Sequence, residues 1–123
     1  MRRVFKTRTF ARWSRKAGLA DAVLLDAIDE MATGLVDADL GGRVYKKRVP
    51  LPGRGKRGGA RTLLGSDLGE RWFFLFGFEK NERDNISQQE LDAVRAIARA
   101  LLELTSRQLD QAVEAGELME IEP

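Results

Sequence analysis

The sequence predicts an α+β fold, a small antiparallel sheet with helices packed on one side, in the order βαα–βββ–αα. Three observations predict it. Two segments with apolar residues at helical spacing come first, three strand-like segments follow, and two capped helical segments close the chain. The length of 123 residues suits one compact core.

The first half of the chain supplies one strand and two helices. Residues 4–7 predict a short strand, and Phe10, Trp13 and Ala17 recur at helical spacing until Gly18. A second apolar stripe runs from Leu24 to Leu35. We therefore expect the order strand, helix, helix before residue 40.

Three strands are predicted in the middle of the chain, at residues 43–49, 60–65 and 71–79. The glycine-rich segment 52–59 between the first two is predicted to be a flexible basic loop. The run 72–76 is apolar at every position, which is typical of a strand buried on both faces. The third strand is therefore expected to be central.

Two capping boxes predict the C-terminal helices, one from Ser87 to Glu90 and one from Thr105 to Gln108. From Glu103 onward six acids face one base, Arg107. We divide the chain into a domain at 1–104 and a short acidic helix and tail at 105–123. We expect this acidic segment to pack on the body and also to weaken the potential of a basic site.

Composition excludes several kinds of chemistry. The chain has no cysteine and no histidine, so disulfides, cysteine zinc sites and histidine acid–base schemes are excluded. We predict no cofactor and no metal site. No apolar run is long enough to cross a bilayer, and the basic N-terminus lacks a secretory apolar core. The expected location is the cytoplasm, without a membrane partner.

Positive charge is concentrated in two segments although the net charge is only +2. Residues 1–16 carry seven bases and residues 43–61 carry eight, and neither segment contains an acid. Such segregation indicates a polyanionic partner for one surface. The alternative is a solvated face that acids elsewhere in the fold neutralise.

Strand alternation places Lys46 and Arg48 on one face and Tyr45 and Lys47 on the other. If the three middle strands pair in order, five cations converge on one face of the sheet. They are Lys46, Arg48, Arg61, Lys80 and Arg83. Converging cations indicate a phosphate site, because arginine binds phosphate in bidentate fashion and lysine acts as a mobile point charge. The alternative is a set of unrelated surface cations.

A site of this kind suits RNA, which carries its own nucleophile in the 2′-hydroxyl. A protein without metal or histidine cleaves RNA if it aligns that hydroxyl and stabilises the charge that develops on phosphorus. A lysine with a pKa depressed by like-charged neighbours is a candidate for proton transfer. The cations assigned to the RNA backbone are Lys47, Arg54, Lys56 and Arg57.

Two segments carry a family resemblance. The stretch from Val44 to Leu64, with its Lys-Arg-Gly-Gly-Ala-Arg loop, and the stretch from Arg71 to Arg83, with its Lys-Asn-Glu-Arg ending, resemble the HigB-like branch of the RelE/ParE toxin superfamily. The resemblance covers roughly residues 3–104. It implies a microbial RNase-like fold, ribosome-dependent cleavage of messenger RNA, and neutralisation by an antitoxin, often a helix-turn-helix protein.

The resemblance also implies roles for residues. Arg61 matches the arginine that contacts the scissile phosphate, and Lys46 and Arg48 match the basic strand positions. Lys80 and Arg83 match part of the cluster after the last strand. Asn81 replaces an arginine of the best-known member and Ser87 replaces a tyrosine, which puts the rate of the chemistry in doubt.

Two other functions stay open. ParE-like members of the superfamily inhibit DNA gyrase and cleave no RNA, and a non-catalytic nucleic-acid-binding protein would also need a basic surface. The converging cations favour the nuclease, because an inhibitor that binds a protein has no need of them.

Overall fold

A computed structural model describes residues 2–53 and 55–122, with side chains described for all of these except 55–57. Within them the chain forms four helices and six strands. The order is β1 (Arg3–Thr7), α1 (Arg8–Ala17), α2 (Asp21–Ala32), β2 (Ala38–Asp39), β3 (Val44–Leu51), β4 (Gly55–Ser66), β5 (Arg71–Glu79), α3 (Gln88–Leu102), α4 (Ser106–Glu114) and β6 (Leu118–Ile121).

The described strands form one sheet in the order β2-β3-β4-β5-β1-β6. All neighbours are antiparallel except β1 and β5, which run parallel. The α+β class and the predicted succession of its main elements are confirmed. Strand β5 lies between β4 and β1, so the expectation of a central third strand is also confirmed.

The helices cover both faces of the sheet, whereas one covered face was expected. Trp72 and Phe74 of β5 pack in a cluster with residues of α1 and α2. Phe73 and Leu75 pack in a second cluster with residues of α3 and α4. A strand that is apolar at every position needs a covering layer on each side, because either face left in water would lose its burial.

Two glycines show how closely the helices approach. A Cβ atom at Gly77 would lie 2.2 Å from the ring of Trp13, so α1 can pack this closely only because residue 77 is glycine. A Cβ atom at Gly65 would lie 2.8 Å from that of Ala98 in α3. Helix α1 therefore covers one face of the central strands and α3 covers the other.

The C-terminal segment belongs to the sheet rather than ending as a tail. Strand β6 pairs with β1, with Val4 opposite Ile121 and Thr7 opposite Leu118. Four residues of mixed polarity give too short a pattern to identify a strand from sequence. The acidic segment therefore contributes α4 and an edge strand to the common core.

The predicted basic loop is also shorter than expected. Strand β4 begins at Gly55, which pairs with Leu51, so the hairpin extends well into the glycine-rich segment. The turn falls near Pro52 and Gly53, where Gly53 has φ +75°. Among the described residues, every helix is too short or too polar to cross a bilayer.

Candidate nucleic-acid site

A row of three residues crosses the middle of the sheet. Arg48 of β3 lies opposite Arg61 of β4, and Arg61 lies opposite Phe78 of β5. Directly opposed residues point to the same face, so the two guanidinium groups stand side by side. Lys46 lies two residues before Arg48 and therefore shares this face. The predicted convergence of these three cations is present.

The same face also carries α3, but α3 covers a different part of it. Arg95 of α3 donates hydrogen bonds to the carbonyl of Leu40, near the turn between β2 and β3. Ala98 packs on Gly65, which pairs with Val44 at the start of β3. The Arg48 side chain, further along the strand, is 50% exposed. The cation row is therefore open to a large ligand.

Arg61 lies in the middle of the row, between Arg48 and Phe78. Burial lowers the pKa of its guanidinium, and the charge of Arg48 lowers it further, while Asp37 acts in the opposite direction. Among the described residues its side chain has one weak hydrogen bond, to the carbonyl of Ala60 at 3.5 Å. Arg61 thus keeps most of its donors unused, and an anion beside it would offset both effects, because it favours the charged guanidinium.

Sequence reasoning missed an acid at this site. Asp37 accepts a hydrogen bond from the backbone N–H of Arg48 at 2.6 Å, and its other oxygen lies 3.4 Å from Nε of the same residue. Asp37 precedes the two-residue strand β2, and only the pairing of β2 with β3 brings it to Arg48. It fixes the start of the Arg48 side chain while leaving the donors of Arg61 unused.

Arg83 reaches the same face but is already neutralised. Its guanidinium forms two hydrogen bonds with the carboxylate of Glu90, one of them 3.1 Å long, and its Nε donates to the carbonyl of Asn85. The guanidinium also lies over the rings of Phe76 and Phe78, 5.9 and 5.7 Å from their centroids. Glu90 raises the pKa of Arg83, and Arg83 lowers that of Glu90 to about 2.

Lys80 follows the end of β5. Its backbone N–H donates to the carbonyl of Gly59 at 3.3 Å, which extends the pairing with β4 by one residue. Its side chain is exposed. By strand alternation it falls on the face of Phe78, beside the row.

A comparison with protein-family models identifies the family of the chain. The family model described as "RelE toxin of RelE / RelB toxin-antitoxin system" matches residues 2–121. The chain belongs to the RelE toxin family. It is therefore the toxin of a toxin–antitoxin system, and its partner is an antitoxin. No curated protein matches the chain. The match includes α4 and β6, beyond the residues that the sequence resemblance covered.

Lys47 lies apart from the other predicted site residues of this RelE-family toxin. It is 4% exposed, on the face of α2, and its ammonium lies 2.7 Å from a carboxylate oxygen of Glu30. It also donates to the carbonyl of Leu35. A buried, paired ammonium does not suit an RNA contact, so Lys47 is a structural residue here. Arg54 and the side chains of Lys56 and Arg57 lie outside the described residues.

The two departures from the best-known member have clear positions in the toxin. Ser87 caps α3, since its hydroxyl accepts from the N–H of Glu90 at 3.1 Å and Glu90 accepts from the N–H of Ser87 at 2.8 Å. Asn81 is exposed in the turn after β5. Among the described residues, no group of three or more acidic side chains is placed to hold a metal ion.

Proposed function

We propose that this toxin is a ribosome-dependent endoribonuclease that cleaves messenger RNA and so inhibits translation. The observation that carries the proposal is the open row formed by Arg48 and Arg61, with Lys46 beside it. Two like charges held side by side raise the energy of the free protein, and a phosphate between them lowers it. An antitoxin of the helix-turn-helix type, a HigB-like assignment and action in the cytoplasm, where ribosomes translate, belong to the same proposal.

In the proposed mechanism the RNA supplies the nucleophile. The 2′-oxygen attacks the adjacent phosphorus, a 2′,3′-cyclic phosphate forms, and the 5′-oxygen of the next nucleotide leaves with a proton. Arg61 and Arg48 stabilise the charge that develops on the phosphoryl oxygens. Lys46 and Lys80 are assigned to charge balance and proton transfer, because an ammonium exchanges its proton more readily than a guanidinium.

Arg83 has a supporting part in this proposal. Glu90 neutralises the Arg83 guanidinium, which packs over the rings of Phe76 and Phe78. We therefore assign Arg83 to the wall of the site beside the row. The ribosome is required because the row is open and flat. In this proposal the row holds the phosphate, and the ribosome supplies the alignment of the ribose.

The experiment is a translation reaction with purified ribosomes and an end-labelled messenger RNA. We expect cleavage products with a 2′,3′-cyclic phosphate end only when ribosomes are present. Arg61→Ala should remove the products, and Arg99→Ala, which removes an exposed cation of α3, should leave them. Absence of cleavage by the unaltered toxin, together with inhibition of gyrase supercoiling, would replace this proposal with the ParE-like function.

Metal independence is part of the same proposal, because guanidinium and ammonium groups supply the positive charge that a metal ion would bring. Cleavage should therefore survive tight chelation, provided that the ribosomes stay intact. Ribosome integrity is checked by sedimentation in parallel. Cleavage of free RNA that appears only with added Mg²⁺ or Mn²⁺ would contradict the mechanism.

A further inference from the structure

Helix α1 carries a second basic surface that the proposed cleavage site does not use. Four of its ten residues are cations, and its first turn contains no acid. They are Arg8, Arg12, Arg15 and Lys16, all exposed. At 100° per residue these four positions fall within an arc of about 100°, opposite the buried side formed by Phe10, Ala11 and Ser14. We name them the α1 ridge.

The cations that precede the α1 ridge in the chain are neutralised by ion pairs. Arg2 pairs with Asp29, Arg3 with Glu120 and Asp110, and Lys6 with Asp21. Among the described residues, none of the four ridge cations has an ion pair or a side-chain hydrogen bond. The same basic N-terminal segment is thus divided into paired cations up to residue 6 and unpaired ones from residue 8 onward.

Helix stability does not account for the ridge. Arg15 and Lys16 lie in the last turn, where the helix dipole favours cations, but Arg8 is the first residue of α1, where it disfavours them. Arg8 and Arg12 are also spaced i, i+4, as are Arg12 and Lys16, and like charges at that spacing destabilise a helix. The unpaired cations therefore cost stability, and a polyanion bound along the helix would offset that cost.

The α1 ridge lies at the same end of the molecule as the row of Arg48 and Arg61. Trp13 of α1 packs on Gly77, which pairs with Thr62, the neighbour of Arg61 in β4. The helix ends at Gly18, beside the ring of Pro52 at the β3–β4 turn. The sheet separates ridge and row, so the ridge contacts a different part of a large partner.

We propose that the α1 ridge binds the sugar–phosphate backbone of structured RNA, which in the proposed function is ribosomal RNA next to the bound messenger. From Arg8 to Lys16 the ridge extends about 12 Å along the helix axis. This length suits several successive phosphates, and a helix that presents only long, exposed cations reads backbone and not bases. The inference rests on the proposed function for the identity of the RNA alone.

The experiment compares two variants with the same change in charge. The ridge variant carries Arg8→Gln, Arg12→Gln and Arg15→Gln. The control variant carries Arg43→Gln, Arg99→Gln and Arg107→Gln, three cations that are exposed elsewhere. Affinity for purified ribosomes and for a short RNA duplex is measured against salt concentration. Single-turnover cleavage is measured with ribosomes in saturating excess.

We expect the ridge variant to bind ribosomes and duplex about tenfold or more weakly than the control near physiological salt. The slope of log affinity against log salt should fall by about 2 to 3 relative to the control, since three phosphate contacts are lost. Cleavage at saturation should be unchanged, which separates the ridge from the site. Duplex binding tests the ridge even if the toxin cleaves nothing.

Equal affinities and slopes for the ridge and control variants would overturn the proposal. So would a ridge variant that binds RNA like the control but escapes the antitoxin, because the ridge would then be a surface for an acidic protein segment. Circular dichroism and melting temperature are compared for both variants, and we expect the ridge variant to melt no lower than the unaltered toxin.

Discussion

Lys47 and Arg48 are neighbours in β3 and carry the same charge, yet the sheet gives them opposite surroundings. Lys47 points to the face of α2, where Glu30 neutralises it and only 4% of the residue is exposed. Arg48 points to the other face, half exposed beside Arg61. The run Lys46-Lys47-Arg48 is thus one buried, paired cation between two cations of the proposed site.

The difference teaches that a basic run in a strand is not one functional unit. Strand alternation assigns each cation to a face, and the acids of the layer above that face decide its role. Helix α2 brings Glu30 to Lys47, whereas Asp37 lies beside Arg48 without covering Arg61. We therefore expect that removing a cation of the row lowers activity, whereas removing Lys47 lowers stability.

The largest expected effect is the loss of activity in Arg61→Ala. Removing one preorganised donor to a transition-state anion lowers a rate by about 10² to 10³. The melting temperature should stay nearly unchanged, because the side chain makes only a weak hydrogen bond to Ala60 in the described structure. Growth inhibition and single-turnover cleavage are measured beside thermal unfolding. A variant that remains fully toxic would remove Arg61 from the site.

Lys47→Met should do the reverse and destabilise the toxin by about 2 kcal/mol, since it removes the buried ammonium that pairs with the Glu30 carboxylate and donates to the Leu35 carbonyl. Cleavage per folded molecule should match the unaltered toxin. Chemical denaturation gives the free energy of unfolding. The double variant Lys47→Met with Glu30→Gln should recover part of the loss. Unchanged stability with weaker RNA binding would return Lys47 to the site.

Only part of this difference between Lys47 and Arg48 could be predicted from the sequence. Period-two alternation was enough to place Lys46 and Arg48 on one face and Lys47 on the other, because it is a local property of the backbone. What covers each face depends on contacts between distant segments. The pairing of Lys47 with Glu30 and the approach of Asp37 to Arg48 both depend on where α2 and β2 pack, which no local pattern shows.

Contacts between distant segments also explain where the predicted fold was wrong. The apolar run 72–76 predicts a central strand, but the helices that cover its two faces are fixed by the packing of α1 and α2 on one side and α3 and α4 on the other. Strand β6 is defined by its pairing with β1 rather than by its own four residues. The caps at Ser87 and Thr105 were predictable because each capping box closes within four residues.

A smaller effect is expected at Glu90, which holds Arg83 at the edge of the row. Arg83 and the N–H of Ser87 lower the pKa of Glu90 from 4.5 to about 2. A carboxylate with a depressed pKa stabilises the fold fully above 4.5, and this contribution disappears as the pH falls towards 2. Glu90→Gln keeps the cap but lacks the charge.

The measurement is the difference in melting temperature between the unaltered toxin and Glu90→Gln from pH 7 to pH 2. We expect a constant advantage for the unaltered toxin above about pH 5 and a decline between 4.5 and 2. A pH-independent difference would mean that the ion pair with Arg83 contributes nothing beyond the cap. Cleavage at pH 7 should fall modestly in the variant, because Arg83, the proposed wall of the site, would lose the carboxylate that holds it in place.

The smallest effect is expected from the acidic C-terminal segment. Its acids were expected to weaken the potential of the basic site, which requires them to lie within the screening distance of about 8 Å at physiological ionic strength. Strand β6 is instead at the far edge of the sheet, three strand spacings from β4, or about 14 Å. Glu120 is moreover paired with Arg3. We therefore expect Glu117→Gln with Glu122→Gln, the two acids that flank β6, to leave the affinity for ribosomes unchanged at low and high salt.

Asp37→Asn supplies the matched positive control for that null result. It removes one negative charge in contact with Arg48, while the amide oxygen can still accept from the backbone N–H that Asp37 now binds. Ribosome affinity should rise at low salt, and the gain should fade as salt increases, because a nearby acid that opposes phosphate binding has been removed. If the Glu117 and Glu122 variant behaved in the same way, charge beside the edge strand β6 would influence the row despite its distance. Distance from Arg61 and Arg48 would then not decide which acids of the toxin tune its affinity for RNA.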